Sequence, residues 1–96
     1  MGDMIITGGE NVWPVMVERI LNNAPGVREC AVVGRPDPEW GESVVAVIVP
    51  DADELALEEL RDAVKSFLPA YCAPRSLELV EELPKTALGK IQRHLL

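Results

Sequence analysis

Ninety-six residues make one domain, and a chain of this size buries roughly 60–70% of its unfolded surface on folding, enough for a single core. The formal net charge of −7 argues against a nucleic-acid surface, which is normally basic. The longest apolar run, Val44 to Val49, is far shorter than the roughly 20 residues that span a bilayer, and no basic-then-apolar segment opens the chain, so a cytoplasmic location is expected.

In chain order, Ile5-Ile6-Thr7, then Gly8-Gly9, then Asn11-Val12-Trp13 predict a hairpin. The paired glycines accept positive backbone angles at the turn, with apolar residues on both sides. Bare backbone here can also border a narrow channel, and the two readings are compatible. Pro14 suits the first position of a helix, and Val17, Ile20, Leu21 and Ala24 repeat at i, i+3, i+4, i+7, so the helix runs to Pro25-Gly26 with one stripe toward a core. Val27 to Gly34 predicts a strand that Pro36-Asp37-Pro38 breaks. Ser43 to Val49 predicts a second strand, its continuous apolarity implying cover on both faces. Trp40-Gly41-Glu42 lies in the connection, where the indole is expected to anchor the loop.

A second helix is predicted over Leu57 to Leu68, with Leu57, Leu60, Val64, Phe67 and Leu68 on the buried stripe. Glu58, Glu59, Arg61, Asp62 and Lys65 form the solvated face opposite. Pro69 ends it, and Leu77 to Leu83 predicts a third strand with Leu77, Leu79 and Leu83 inward. Cys30 and Cys72 are isolated, without metal-type spacing, so neither a disulfide framework nor a metal site is expected, and Cys30 is assigned to the core. Ile91 and Leu95 suggest a short final helix. The expected fold is α+β: an N-terminal β-hairpin, then a three-stranded sheet covered by two helices, with a short C-terminal helix and an exposed lysine segment.

That lysine segment is Pro84-Lys85-Thr86-Ala87-Leu88-Gly89-Lys90-Ile91-Gln92-Arg93. A turn with glycine beside lysine brings an ammonium close to an anion, because Gly89 has no Cβ to obstruct the approach. Pro84-Lys85-Thr86 followed by Gly89-Lys90-Ile91 and Arg93 resembles the last motif of the adenylate-forming enzymes, which include acyl-CoA synthetases, peptide-synthetase adenylation domains and firefly-type luciferases. Asp3 to Pro14 resembles the motif that opens the C-terminal domain of the same superfamily. Val32-Val33-Gly34 with Pro36-Asp37, Trp40-Gly41-Glu42, and Tyr71 with Pro74-Arg75 continue the pattern between them. The resemblance covers essentially the whole chain, and only the small mobile C-terminal domain of such enzymes.

The resemblance implies a hairpin at 3–14, a sheet with helices at 15–83 and a catalytic-lysine segment at 84–96. It implies an acyl-CoA synthetase in which a carboxylate attacks the α-phosphorus of ATP, with Mg2+, before the thiol of coenzyme A displaces AMP. Lys90 takes the catalytic, electrostatic role, with Gly89 and Thr86 in the loop that positions substrate. Gly8, Gly9 and Glu10 line the thiol tunnel after the domain rotates. The partner implied is an N-terminal adenylation domain that binds most of the ATP, the Mg2+ and the acid, so the fragment alone is expected to be inactive. The hinge would lie just before Asp3, at Gly2, and is not assigned. Two departures stand out: Met16 where the family usually has an acidic residue, treated as packing, and Cys72 where a lysine often follows the tyrosine. A peptide-synthetase adenylation domain, whose thiol belongs to a carrier protein, and a non-catalytic binding module that kept the fold are the alternatives.

Overall fold

The computed structural model describes residues 4–51 and 55–96. Asp3 and the expected hinge position lie outside the described residues. The hairpin forms from β1, Ile5–Thr7, and β2, Glu10–Val12, with Gly8 and Gly9 both at positive φ in the turn. Helix α1, Pro14–Leu21, follows at once, with proline in its first turn, where a missing N–H costs nothing. Strands β3, Val27–Asp37, and β4, Gly41–Pro50, then form a long antiparallel ribbon. Helix α2, Leu57–Lys65, and a 3-10 turn at Ala70–Cys72 lead to β5, Ser76–Leu79, which runs parallel to β4. A last 3-10 turn, Arg93–Leu95, stands where a short final helix was expected.

The hairpin joins the same sheet as the later strands, through Thr7 opposite Gly41, so the sheet has five strands rather than a separate hairpin and three. Period-two alternation in the β3–β4 ribbon sorts its side chains into two clusters. Cys30, Val32, Val44, Ala46 and Ile48 face the helices, where they meet Val17 and Leu21 of α1 and Leu60 and Val64 of α2. Ala31, Val33, Val45, Val47 and Val49 face the other way and pack with Leu83, Val80, Ile91 and Leu96. The predicted two-sided burial of β4 is therefore real, with both helices on one face and the C-terminal segment closing the second.

Several boundaries differ from expectation for local reasons. Helix α1 ends at Leu21, not at Pro25, because Asn23 and Ala24 turn back onto the carbonyls of Ile20 and Leu21, and the Asn23 side chain donates to the Arg19 carbonyl. Strand β3 continues through Pro36, opposite Glu42: β3 is an edge strand, where a proline's missing donor breaks no ladder. The reversal comes later, where the Asp37 carboxylate accepts the N–H groups of Glu39 and Trp40. Helix α2 stops at Lys65, since Pro69 disfavours helical geometry just before it; Phe67, expected inward, is 77% exposed. Strand β5 ends at Leu79, which is 61% exposed rather than buried, while Leu83 does reach the core. Arg61, placed on the solvated face, instead donates to the Pro74 carbonyl at 2.8 Å.

Candidate functional site

The lysine segment is a small β-hairpin of its own. Its stems meet at Lys85 and Ile91, and the Gln92 N–H donates to the Pro84 carbonyl at 2.9 Å. Gly89 donates to the Thr86 carbonyl at 2.9 Å and Thr86 to the Lys90 carbonyl at 2.8 Å, enclosing a three-residue loop, Ala87-Leu88-Gly89. Gly89 closes it at φ +86°, a conformation that side chains with a Cβ resist. The Thr86 hydroxyl accepts the Lys90 N–H at 3.1 Å. Thr86 and Gly89 thus shape the loop, and Lys90 stands exposed at its end with no ion pair among the described residues.

Two contacts fasten this hairpin to the body. Lys85 Nζ lies 2.5 Å from Glu29 on β3. The Arg93 guanidinium pairs with Glu18 of α1, Nε lying 2.7 Å from Oε2. Beyond it, Arg35 donates to both Glu78 oxygens, at 3.0 and 2.6 Å, and to the Leu96 carbonyl at 2.8 Å. Glu18 and its link to Arg93 carry no local signal in the sequence.

The glycine turn occupies a different place. Gly8 donates to the Trp40 carbonyl at 2.8 Å, and a Cβ on Gly8 would lie 2.7 Å from the Trp40 ring. Trp40 thereby anchors the loop as expected, and it also supports the turn. The Arg75 guanidinium covers the same indole, 4.2 Å from the ring centroid, in cation–π contact. Gly9 has open space where a Cβ would stand, and Glu10 is exposed. Glu42, from the same sequence stretch as Trp40, crosses over Gly34 to accept the Ile6 N–H at 2.9 Å, which accounts for a glycine at position 34. Met16 is half exposed, and with Trp13, Leu68 and Tyr71 it lines a groove that Cys72 borders.

The two glycine-bearing turns sit at opposite ends of the β3–β4 ribbon. Thr7 pairs with Gly41, whereas Glu29, the partner of Lys85, pairs with Val49. Those two positions on β4 are about 26 Å apart at about 3.3 Å per residue. The structure therefore brings Lys90, Gly89 and Thr86 together, and Gly8, Gly9 and Glu10 together, but keeps the two groups apart. Among the described residues no cluster of acidic, histidine or cysteine side chains is grouped to hold a metal ion. No described helix is long and apolar enough to cross a membrane.

Comparison with known proteins finds that the profile of the AMP-binding enzyme C-terminal domain family matches residues 16–90. A 2-succinylbenzoate–CoA ligase of Listeria monocytogenes is 47% identical over 95 residues, which are 98% of this chain and 20% of that protein. A feruloyl-CoA synthase of an Amycolatopsis species is 48% identical over 93% of this chain and 18% of its own length. Among solved structures, a Mycobacterium tuberculosis fatty acyl CoA synthetase superposes with a TM-score of 0.89 at 38% identity, covering 97% of this chain and 18% of that one. The chain thus spans about a fifth of the length of the curated relatives it matches.

Proposed function

Because the chain belongs to the AMP-binding enzyme C-terminal domain family, we propose that it is the mobile C-terminal domain of an AMP-forming acid–CoA ligase, with Lys90 serving acyl-adenylate formation. The observation that carries this reading is the geometry of the lysine hairpin: its backbone is closed by its own hydrogen bonds, its stems are fastened to β3 and to α1, and its lysine faces outward. In the first half-reaction a carboxylate oxygen attacks the α-phosphorus of ATP, a P–O bond forms, and pyrophosphate leaves. Negative charge gathers on the phosphate oxygens while the nucleophile is itself an anion. A protonated lysine aimed at that charge lowers the barrier and holds the carboxylate, without forming a covalent bond. An N-terminal domain would hold most of the ATP, the Mg2+ and the acid. The acid itself is an aliphatic or aromatic carboxylic acid.

In the second half-reaction the thiol of coenzyme A attacks the acyl carbonyl and AMP leaves. The separation between the lysine hairpin and the Gly8-Gly9 turn supports a rigid-body rotation that exchanges one for the other at a single active centre. The turn with Gly8, Gly9 and Glu10 then lines the path of the thiol. The curated relatives named above are both named for CoA chemistry, which favours coenzyme A over a carrier-protein thiol.

The deciding experiment is Lys90→Ala in the intact enzyme. Loss of one preorganised charge should lower adenylation, followed as acid-dependent ATP–pyrophosphate exchange, by on the order of 10²–10³-fold. Conversion of supplied acyl-adenylate and coenzyme A into thioester should remain close to the unsubstituted rate. Equal losses in both half-reactions would remove Lys90 from this role.

A further inference from the structure

We propose that Glu18 and Arg93 are a positioning pair for Lys90: the buried carboxylate of α1 captures the far stem of the lysine hairpin and sets where the ammonium is presented. The inference rests on the adenylation role of Lys90 given above.

Glu18 is a charged residue with only 8% of its side chain exposed, and Arg93 is exposed by 16%. A carboxylate in such a place persists only when its oxygens are satisfied. Glu18 Oε2 accepts the Val32 N–H at 2.8 Å and Arg93 Nε at 2.7 Å, and Oε1 accepts Arg93 Nη2. The Val32 N–H belongs to β3, which has no strand on its outer side among the described residues, so Glu18 also satisfies a donor the ladder leaves over. One carboxylate therefore ties α1, the edge of β3 and the C-terminal segment together. The two-point fork fixes the orientation of the guanidinium as well as its position.

Arg93 follows Lys90 by three residues, immediately after the closing bond from Gln92 to Pro84. The other stem is held by Lys85 and Glu29, a pair left 39% and 34% exposed. Exposed pairs hold weakly and soften with salt, whereas a buried, doubly bonded pair has one arrangement. The stiff attachment of the hairpin is thus the Glu18–Arg93 side. A lysine on a long flexible stem performs electrostatic catalysis only if the backbone that carries it is held in place.

The test uses the full-length enzyme with the neutral double variant Glu18→Gln with Arg93→Gln, which leaves no lone buried charge, and with Arg93→Lys, which keeps the charge and loses the fork. Melting temperature, ATP–pyrophosphate exchange and thioester formation from supplied acyl-adenylate are measured for each. The expected result is a fall in adenylation on the order of 10- to 100-fold for the double variant, with thioester formation within about twofold. Arg93→Lys should show the same split to a smaller degree, and it decides the matter if the double variant does not fold. In a Lys90→Ala background the double substitution should add no further loss, because the pair acts through Lys90. Parallel loss of both half-reactions, an additive loss in the Lys90→Ala background, or unchanged adenylation would overturn the proposal. If Lys90→Ala itself spares adenylation, the role of Lys90 fails; if Lys90→Ala shows the split and the pair variants do not, only the positioning proposal fails.

Discussion

Gly8 and Gly9 share a turn and a positive φ, yet a neighbour closes off only Gly8. Any side chain at Gly8 must displace the Trp40 ring, which also carries the Arg75 guanidinium, so substitution there tests packing and function at once. Gly9 has free space and is the cleaner probe of a thiol path. Leucine at Gly9 bears roughly 1–3 kcal/mol of backbone strain, and asparagine bears less because it tolerates the left-handed region. In the intact enzyme we expect Gly9→Leu to keep adenylation, to slow thioester formation steeply, and to accumulate acyl-adenylate on the protein. Gly9→Asn should show the same split with a smaller drop in melting temperature, while Gly8→Leu should be the least stable of the three. Both rates falling in proportion to stability for Gly9→Leu would leave the glycine as a turn residue alone.

At the scale of the element, β3 joins core packing to an unusual electrostatic environment. Cys30 is buried in the helix-side cluster, and burial first, with the Glu18 charge second, pushes its thiol from an ordinary value near 9.0 up to about 12. The folded chain thus holds this proton more tightly than the unfolded chain does. The stabilisation is complete below about pH 9 and is lost as pH rises toward 12, with a slope of at most about 1.4 kcal/mol per pH unit. Urea unfolding at pH 8, 9 and 10 under reducing conditions should show this decline, and Cys30→Ala should flatten it relative to the parent. An unchanged slope in Cys30→Ala would mean that other groups control the alkaline limb. The same burial keeps Cys30 a packing residue, since a nucleophilic thiol needs a depressed value and access.

At the scale of the whole molecule, two apolar clusters back to back on one sheet give a complete core. The radius of gyration is 12.5 Å, close to the roughly 12–13 Å that size scaling gives for an independently folded domain of this length. We therefore expect the isolated chain to unfold cooperatively. We also expect it to form no acyl-adenylate from ATP, Mg2+ and any fatty or aromatic acid, because it spans about a fifth of the length of the ligases it resembles and the proposed ATP and acid sites lie in the N-terminal domain. Detecting acyl-adenylate from the purified chain would contradict this.

Much of this architecture was legible in the sequence because it is local. The Gly8-Gly9 turn, the stripe of Val17 and Leu21, the unbroken apolar β4 and the glycine-closed lysine loop each follow from residues within a few positions of one another. Periodicity says which side of an element is buried, but not what lies against it. The parallel placement of β5, the closure of the second sheet face by Leu83, Ile91 and Leu96, and the exposure of Phe67 and Leu79 depend on which elements become neighbours. Pro36 reads as a strand breaker until its strand is known to lie at an edge. The pairing of Glu18 with Arg93 spans 75 positions, and neither residue differs in local pattern from a solvated charge. Only the tertiary structure brings them together, because a buried charge is tolerable only beside the partner that the rest of the fold delivers to it.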